Sequence, residues 1–123
     1  MYPDELLADV IWVFKGQKYA SMENFAKAVS EYNLRIRERD WEPGKVVLNN
    51  KTIKIFYEHW LEDLDVDAEA TLTSSGDVFT AGELLWLINK ELEGKELGDH
   101  CFFEGLYNEE KNGRAEYLIY LGS

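Results

Sequence analysis

Between Ile53 and Leu72 the apolar residues fall, for most of the way, on every second position. Ile53, Ile55 and Tyr57 alternate with Lys54 and Phe56, and Val66, Ala68, Ala70 and Leu72 alternate with Asp67, Glu69, Thr71 and Thr73. A period of two places one set of side chains on each face of an extended chain, so these runs are strands with one face buried and one wet. Strands of this kind need a sheet and something to cover its apolar side. The remaining patterns supply both.

Upstream, VVLNNKTIKIFY (46–57) reads as a hairpin turning at Asn49-Asn50, because Asn tolerates the positive φ of a tight turn. ADVIWVF (8–14) is apolar on both alternating faces and suits a strand covered on both sides or held in a dimer contact. CFFEGLY (101–107) and AEYLIYL (115–121) flank NEEKNG and form a second hairpin, with Asn112-Gly113 in its turn. Two segments carry helical spacing instead. Ser21 caps a helix over 22–39, whose Phe25, Val29, Tyr32 and Ile36 share one face. Thr80-Ala-Gly-Glu83 is a capping box opening a helix over 81–93, which buries Leu84, Leu85, Ile88 and Leu92 and stops at Gly94. PDELLAD near the start adds a short helical turn. The order is β-α-β-β-β-α-β-β. It predicts a two-layer α+β fold, with a mostly antiparallel sheet of about six strands and two helices, in one domain spanning 1–123.

Charge is distributed unevenly along this frame. Residues 1–57 hold eight Asp/Glu against nine Lys/Arg, a net of +1, whereas residues 58–123 hold sixteen against four, a net of −12. Such a field repels nucleic-acid phosphates and anionic membranes and favours a basic partner, or no electrostatic partner at all. Seventeen aromatic residues, four of them Trp, separate the chain from disordered acidic tails. The lone Cys101 permits no internal disulfide and fits a reducing compartment. MYPDELLADV lacks the basic start of a secretory signal, and no apolar run approaches the roughly 20 residues that span a bilayer. The expectation is a cytoplasmic protein.

The acidity is densest in HWLEDLDVDAEAT (59–71), which has five carboxylates and no Lys or Arg. A calcium loop is the sharpest reading of Asp63, Asp65 and Asp67, which match the first, third and fifth positions of an EF-hand. The sixth position is Ala68 instead of Gly, and the twelfth is Ser74 instead of Glu, so the turn and the bidentate ligand are missing. Carboxylates two apart on a strand stand roughly 7 Å from one another, too far to wrap one ion unaided. No metal site is expected. A solvated strand face needs no partner, since charge also discourages edge-to-edge aggregation. A face that is merely soluble mixes its signs, however, and this one does not. Glu58, Trp60, Glu62, Asp63, Asp65, Asp67 and Glu69 are therefore the candidate partner-binding residues, with Trp60 as an aromatic anchor for an Arg-rich surface. The core is the competing place for any Trp, and it claims Trp12 more readily than Trp60.

Catalytic signals are weak. His100 and Cys101 are neighbours in a strand and point to opposite faces, and Cys101 would need the distant His59 as a base. Glu104, among Phe102, Phe103 and Leu106, would become a general acid only if it shared their burial; otherwise it lies on the wet face or pairs with Arg114. No CxxC, HExxH, GxSxG or phosphate loop is present. No catalytic residue and no cofactor are expected.

In size, acidity and lack of catalytic motifs the whole chain is similar to small bacterial immunity proteins, which bind and silence a toxin. That resemblance implies a non-enzymatic protein that neutralises or docks a basic protein partner, a toxin or a nucleic-acid-binding protein, and carries over no residues. An enzyme or small-ligand-binding domain and a homo-oligomeric structural subunit are the alternatives.

Overall fold

The computed structural model describes residues 2–123. The elements in chain order are β1 (Glu5–Leu6), β2 (Trp12–Val13), α1 (Met22–Arg37), β3 (Val46–Leu48), β4 (Thr52–Leu61), β5 (Leu64–Thr73), β6 (Phe79–Thr80), α2 (Ala81–Leu92), β7 (Phe102–Tyr107) and β8 (Glu116–Gly122). The α+β class and the element order match the sequence reading, with two-residue strands added at β1 and β6. The main sheet runs β1-β7-β8-β4-β5, and β2 also pairs with β7. Every pairing in it is antiparallel except β4 with β8, which is parallel. A second sheet of β3 and β6 makes the architecture more than a plain two-layer stack.

The core is one apolar cluster. The inward faces of the sheet contribute Ile53, Ile55, Tyr57, Leu106 and Tyr117, and the helices add Phe25, Val29, Leu84, Leu85 and Ile88, all essentially without exposure. Burying side chains of this size is the main favourable term in folding, roughly 1.5–3 kcal/mol each before entropy is charged against it. β7 carries a bulge at Gly105, whose φ of +111° a side chain would resist, and the bulge lets Phe103 and Leu106 both face inward.

Four local expectations are corrected. Residues 46–57 are not a hairpin: β3 pairs with β6, as Val46 with Thr80 and Leu48 with Phe79. Both flanks of β4 are taken, by β5 and β8, so the three-residue β3 has no edge of β4 left to join. PDELLAD holds a short strand, β1, instead of a helical turn. Ile36 shares the stripe of Phe25 but sits in the last turn, beyond the core, and is 56% exposed; Asn33 takes the inward position instead. Ser21 caps α1 by accepting from the Asn24 N–H at 3.1 Å, as expected. Thr80 likewise accepts from Glu83 N–H, but the Glu83 carboxylate does not turn back to Thr80. It accepts from the Ser74 hydroxyl at 2.8 Å and the Ser75 N–H at 3.2 Å. Burial alone would raise the Glu83 pKa, and these hydrogen bonds outweigh it, so the carboxyl sits below its ordinary value.

Two buried asparagines hold the segment around β2 to the helices. Asn33 of α1 accepts from the Ile11 N–H at 3.1 Å and donates to the Ile11 carbonyl at 2.9 Å. Asn89 of α2 accepts from the Trp12 indole N–H and donates to the Gln17 carbonyl, both at 3.2 Å. The two side-chain amides thus pair backbone groups of Ile11 and Gln17, which flank β2, and the buried Trp12 indole N–H. Among the described residues no helix is long and apolar enough to cross a membrane.

Candidate functional site: the outer face of the β4–β5 hairpin

β4 and β5 are ten residues each and pair in register from Thr52–Thr73 to Leu61–Leu64. Glu62 and Asp63 form the two-residue turn, with φ of +52° and +66°. Positive φ at both central positions is the type I′ pattern, whose twist matches that of the flanking strands. Gly, Asn and Asp favour it, so Glu62 carries a conformational cost of its own.

Because the register is exact along the hairpin, faces can be assigned residue by residue. Ile53, Ile55, Tyr57 and His59 point toward the helices, opposite Leu72, Ala70, Ala68 and Val66. Lys54, Phe56, Glu58 and Trp60 point outward, opposite Thr71, Glu69, Asp67 and Asp65. Five of the seven candidate residues, Glu58, Trp60, Asp65, Asp67 and Glu69, therefore share one outer face. The other two, Glu62 and Asp63, cap its end in the turn. Trp60 is 42% exposed on the outer face, whereas the closing pair Leu61 and Leu64, 58% and 67% exposed, alternates onto the opposite face with His59 and Val66. Trp12, by contrast, is buried in the core.

Little countercharge reaches this face. Lys54 meets Glu69 at 3.1 Å in a partly exposed pair. No arginine lies within ion-pair distance of it among the described residues; Arg37 donates to the Asp9 carbonyl, and Arg114 sits 3.9 Å from Glu116. Glu58 feels the consequence. The negative charge of Asp65, helped by partial burial, a hydrogen bond to Asp65 and the charge of Asp67, raises its pKa above the ordinary 4.5, against a smaller opposing pull from His100.

Beyond the Phe56–Leu118 pair β4 and β8 part, and the loop before β7 enters the gap: the Trp60 N–H donates to the Glu96 carbonyl at 2.7 Å. A hollow of about 320 Å³ opens there, lined by Glu58, His59, Trp60, Asp65, Leu97, His100 and the end of β8. Gly98, at φ +62°, lets the Trp60 ring come close to the loop; a Cβ there would meet its Nε1 at 3.3 Å. Two carboxylates and an indole, together with leucines and an isoleucine in the same lining, suit a cationic group on an aliphatic stem.

The catalytic candidates do not assemble. His100 and Cys101 precede β7 and are not within a strand. His59 lines the hollow by Trp60, while Cys101 lines a separate depression with Phe14 and Gly16. Glu104 is exposed, lies against Gly122 and makes no pair with Arg114. Among the described residues no group of three or more His, Cys, Asp or Glu is arranged to hold a metal ion.

Sequence reasoning missed Phe56 and His100 as parts of this surface, and Leu61 and Leu64 as the exposed pair that closes the hairpin on its other face. A signal for the leucines existed: two alternating runs of equal length meet at Glu62-Asp63. The dipeptide lacks the Asn or Gly that announces a tight turn, so the strands were legible and their pairing was not. Comparison of the chain with protein-family models, curated proteins and solved structures gives no match.

Proposed function

We propose that this protein is a non-enzymatic binding protein that docks or neutralises a basic protein partner, a toxin domain or a nucleic-acid-binding protein, through the outer face of its β4–β5 hairpin. The observation that carries the reading is the gathering of Glu58, Asp65, Asp67 and Glu69 on one face, with Lys54 as the ion-pair partner of Glu69 and the exposed Trp60 among them. An exposed indole beside charge of one sign combines desolvation at the aromatic ring with steering by the carboxylates. A partner arginine would find the Trp60 indole and the Glu58 and Asp65 carboxylates together in the lining of the hollow. A contact of this type forms fast at low ionic strength and weakens as salt screens it.

The test is charge reversal. The protein and an Asp65→Lys, Asp67→Lys variant are immobilised side by side and exposed to lysate of the cells that make it. The expected result is one or more basic proteins, eluted by a salt gradient, retained by the parent and lost by the variant, whose circular dichroism is unchanged. Retention of the same proteins by both sinks the proposal. The hollow holding His59, His100 and Glu58 favours a small-ligand site as the second reading. That site would bind its ligand equally well after reversal at Asp67, which does not line it.

A further inference from the structure

β5 is the last strand of the main sheet, and its outer edge is open. Antiparallel pairs alternate between those that exchange backbone hydrogen bonds and those that do not. Leu61–Leu64 closes the two-residue turn and is a bonded pair, so Val66, Ala68, Ala70 and Leu72 bond to β4. The N–H and C=O groups of Asp65, Asp67, Glu69 and Thr71 then point away from β4. The other strand follows the same alternation: Lys54 N–H donates to the Ala115 carbonyl, and Trp60 N–H to Glu96, both away from β5. Among the described residues nothing bonds the outward backbone groups of Asp65, Asp67, Glu69 or Thr71. The opposite end of the sheet is blunted differently, by the two-residue strands β1 and β2.

The edge is thus about 20 Å of unpaired ladder, and its free donors and acceptors belong to the residues whose carboxylates stand on the outer face. A second copy of this chain would set like charges opposite one another, which disfavours self-pairing. We infer that β5 accepts an added antiparallel strand from its partner, one that alternates basic and apolar residues. Its Lys or Arg side chains fall opposite Asp65, Asp67 and Glu69, and its apolar side chains fall beside the half-buried Val66, Ala68 and Ala70. Main-chain bonds supply the affinity and the alternation supplies the specificity. The inference rests on the acidic-face reading and adds the backbone as the means of recognition.

The experiment uses a short capped peptide alternating lysine and valine, an isomer of the same composition with its lysines grouped, and a copy of the first N-methylated at every second residue. Amide hydrogen exchange is followed by NMR on the whole protein. In the free protein the amides of Asp65, Asp67, Glu69 and Thr71 exchange fast, while those of Val66, Ala68 and Ala70 are protected. Saturating alternating peptide is expected to slow the first group at least tenfold, and the N-methylated copy to leave it unchanged. Thr71→Pro removes one outward N–H and no charge, and should weaken binding of the alternating peptide roughly five- to tenfold. If the grouped and N-methylated peptides bind as tightly as the alternating one with no amide protected, strand addition is overturned and the acidic-face reading stands. If none of the three binds at low ionic strength, the acidic-face reading falls and takes this one with it.

Discussion

Neutralising Asp65 and Asp67 should make the protein more stable and a poorer binder at once. Glu58 lies directly opposite Asp67 and diagonally across from Asp65, and no basic side chain separates them. A like-charged pair across a strand costs about 0.5 kcal/mol, so relieving two such pairs in Asp65→Asn, Asp67→Asn should stabilise the fold by about 1 kcal/mol. In a chain of this size that corresponds to a melting temperature higher by about 3–5 °C. The pH dependence has a definite sign. The folded Glu58 holds its proton to a higher pH than the unfolded chain does, so the native state binds more protons and its stability falls as pH rises through 4.5 and the folded pKa. The advantage of the variant should therefore be small at pH 4, full at pH 7, and largely screened at 1 M salt, where the Debye length is about 3 Å. Thermal melts of parent and variant at two pH values and two salt concentrations measure all of this. A variant no more stable than the parent at low salt and pH 7, or a gain that persists unchanged at pH 4, would refute the like-charge account. A sequence that keeps a destabilising cluster keeps it for solubility or for a partner, and the binding half of the prediction separates these.

Three other perturbations address the frame behind the hairpin. Asn89→Ala leaves the Trp12 indole N–H and the Gln17 carbonyl without partners in a buried site and should cost about 2–4 kcal/mol by urea denaturation; in a Trp12→Phe background the same change should cost about 1 kcal/mol less. Glu83→Ala unties the loop at Ser74 and Ser75 and should cost about 1–2 kcal/mol at pH 7. Because the folded Glu83 carboxyl sits below its ordinary value, its contribution is present above the unfolded pKa and is lost as pH falls through the folded one, so parent and variant should converge in acid melts. Gly98→Ala places a side chain at positive φ, 3.3 Å from the Trp60 indole, and should cost about 1 kcal/mol while altering Trp60 fluorescence, with Trp60→Phe as the control that removes the signal.

The strands and helices were readable because their signals are local. The alternation at 66–73 and the four-three spacing of Phe25, Val29 and Tyr32 follow from the geometry of single elements, and the caps at Ser21 and Thr80 are held by backbone within three residues. The acid count of the second half and the run of like-signed neighbours in it were equally plain. Which elements meet was not plain. Asn49-Asn50 looks like a turn between paired strands, yet β3 goes to β6, because competition among strands for the flanks of β4 is decided across the whole chain. Glu83 satisfies the capping-box spacing while its carboxylate serves a loop nine residues back.

For the candidate surface the division is the same. The order of residues by itself determined that residues 58–69 carry excess negative charge and that every second residue of β5 is polar. Only the tertiary structure decided that Glu58 and Trp60 join those residues on one face, and that among the described residues no arginine folds over to neutralise them and nothing pairs with the edge beside them. Charge is a property of side chains one at a time. A field, a face and an unpaired ladder depend on which strand lies next to which, and pairing partners tens of residues apart leave no mark at either position.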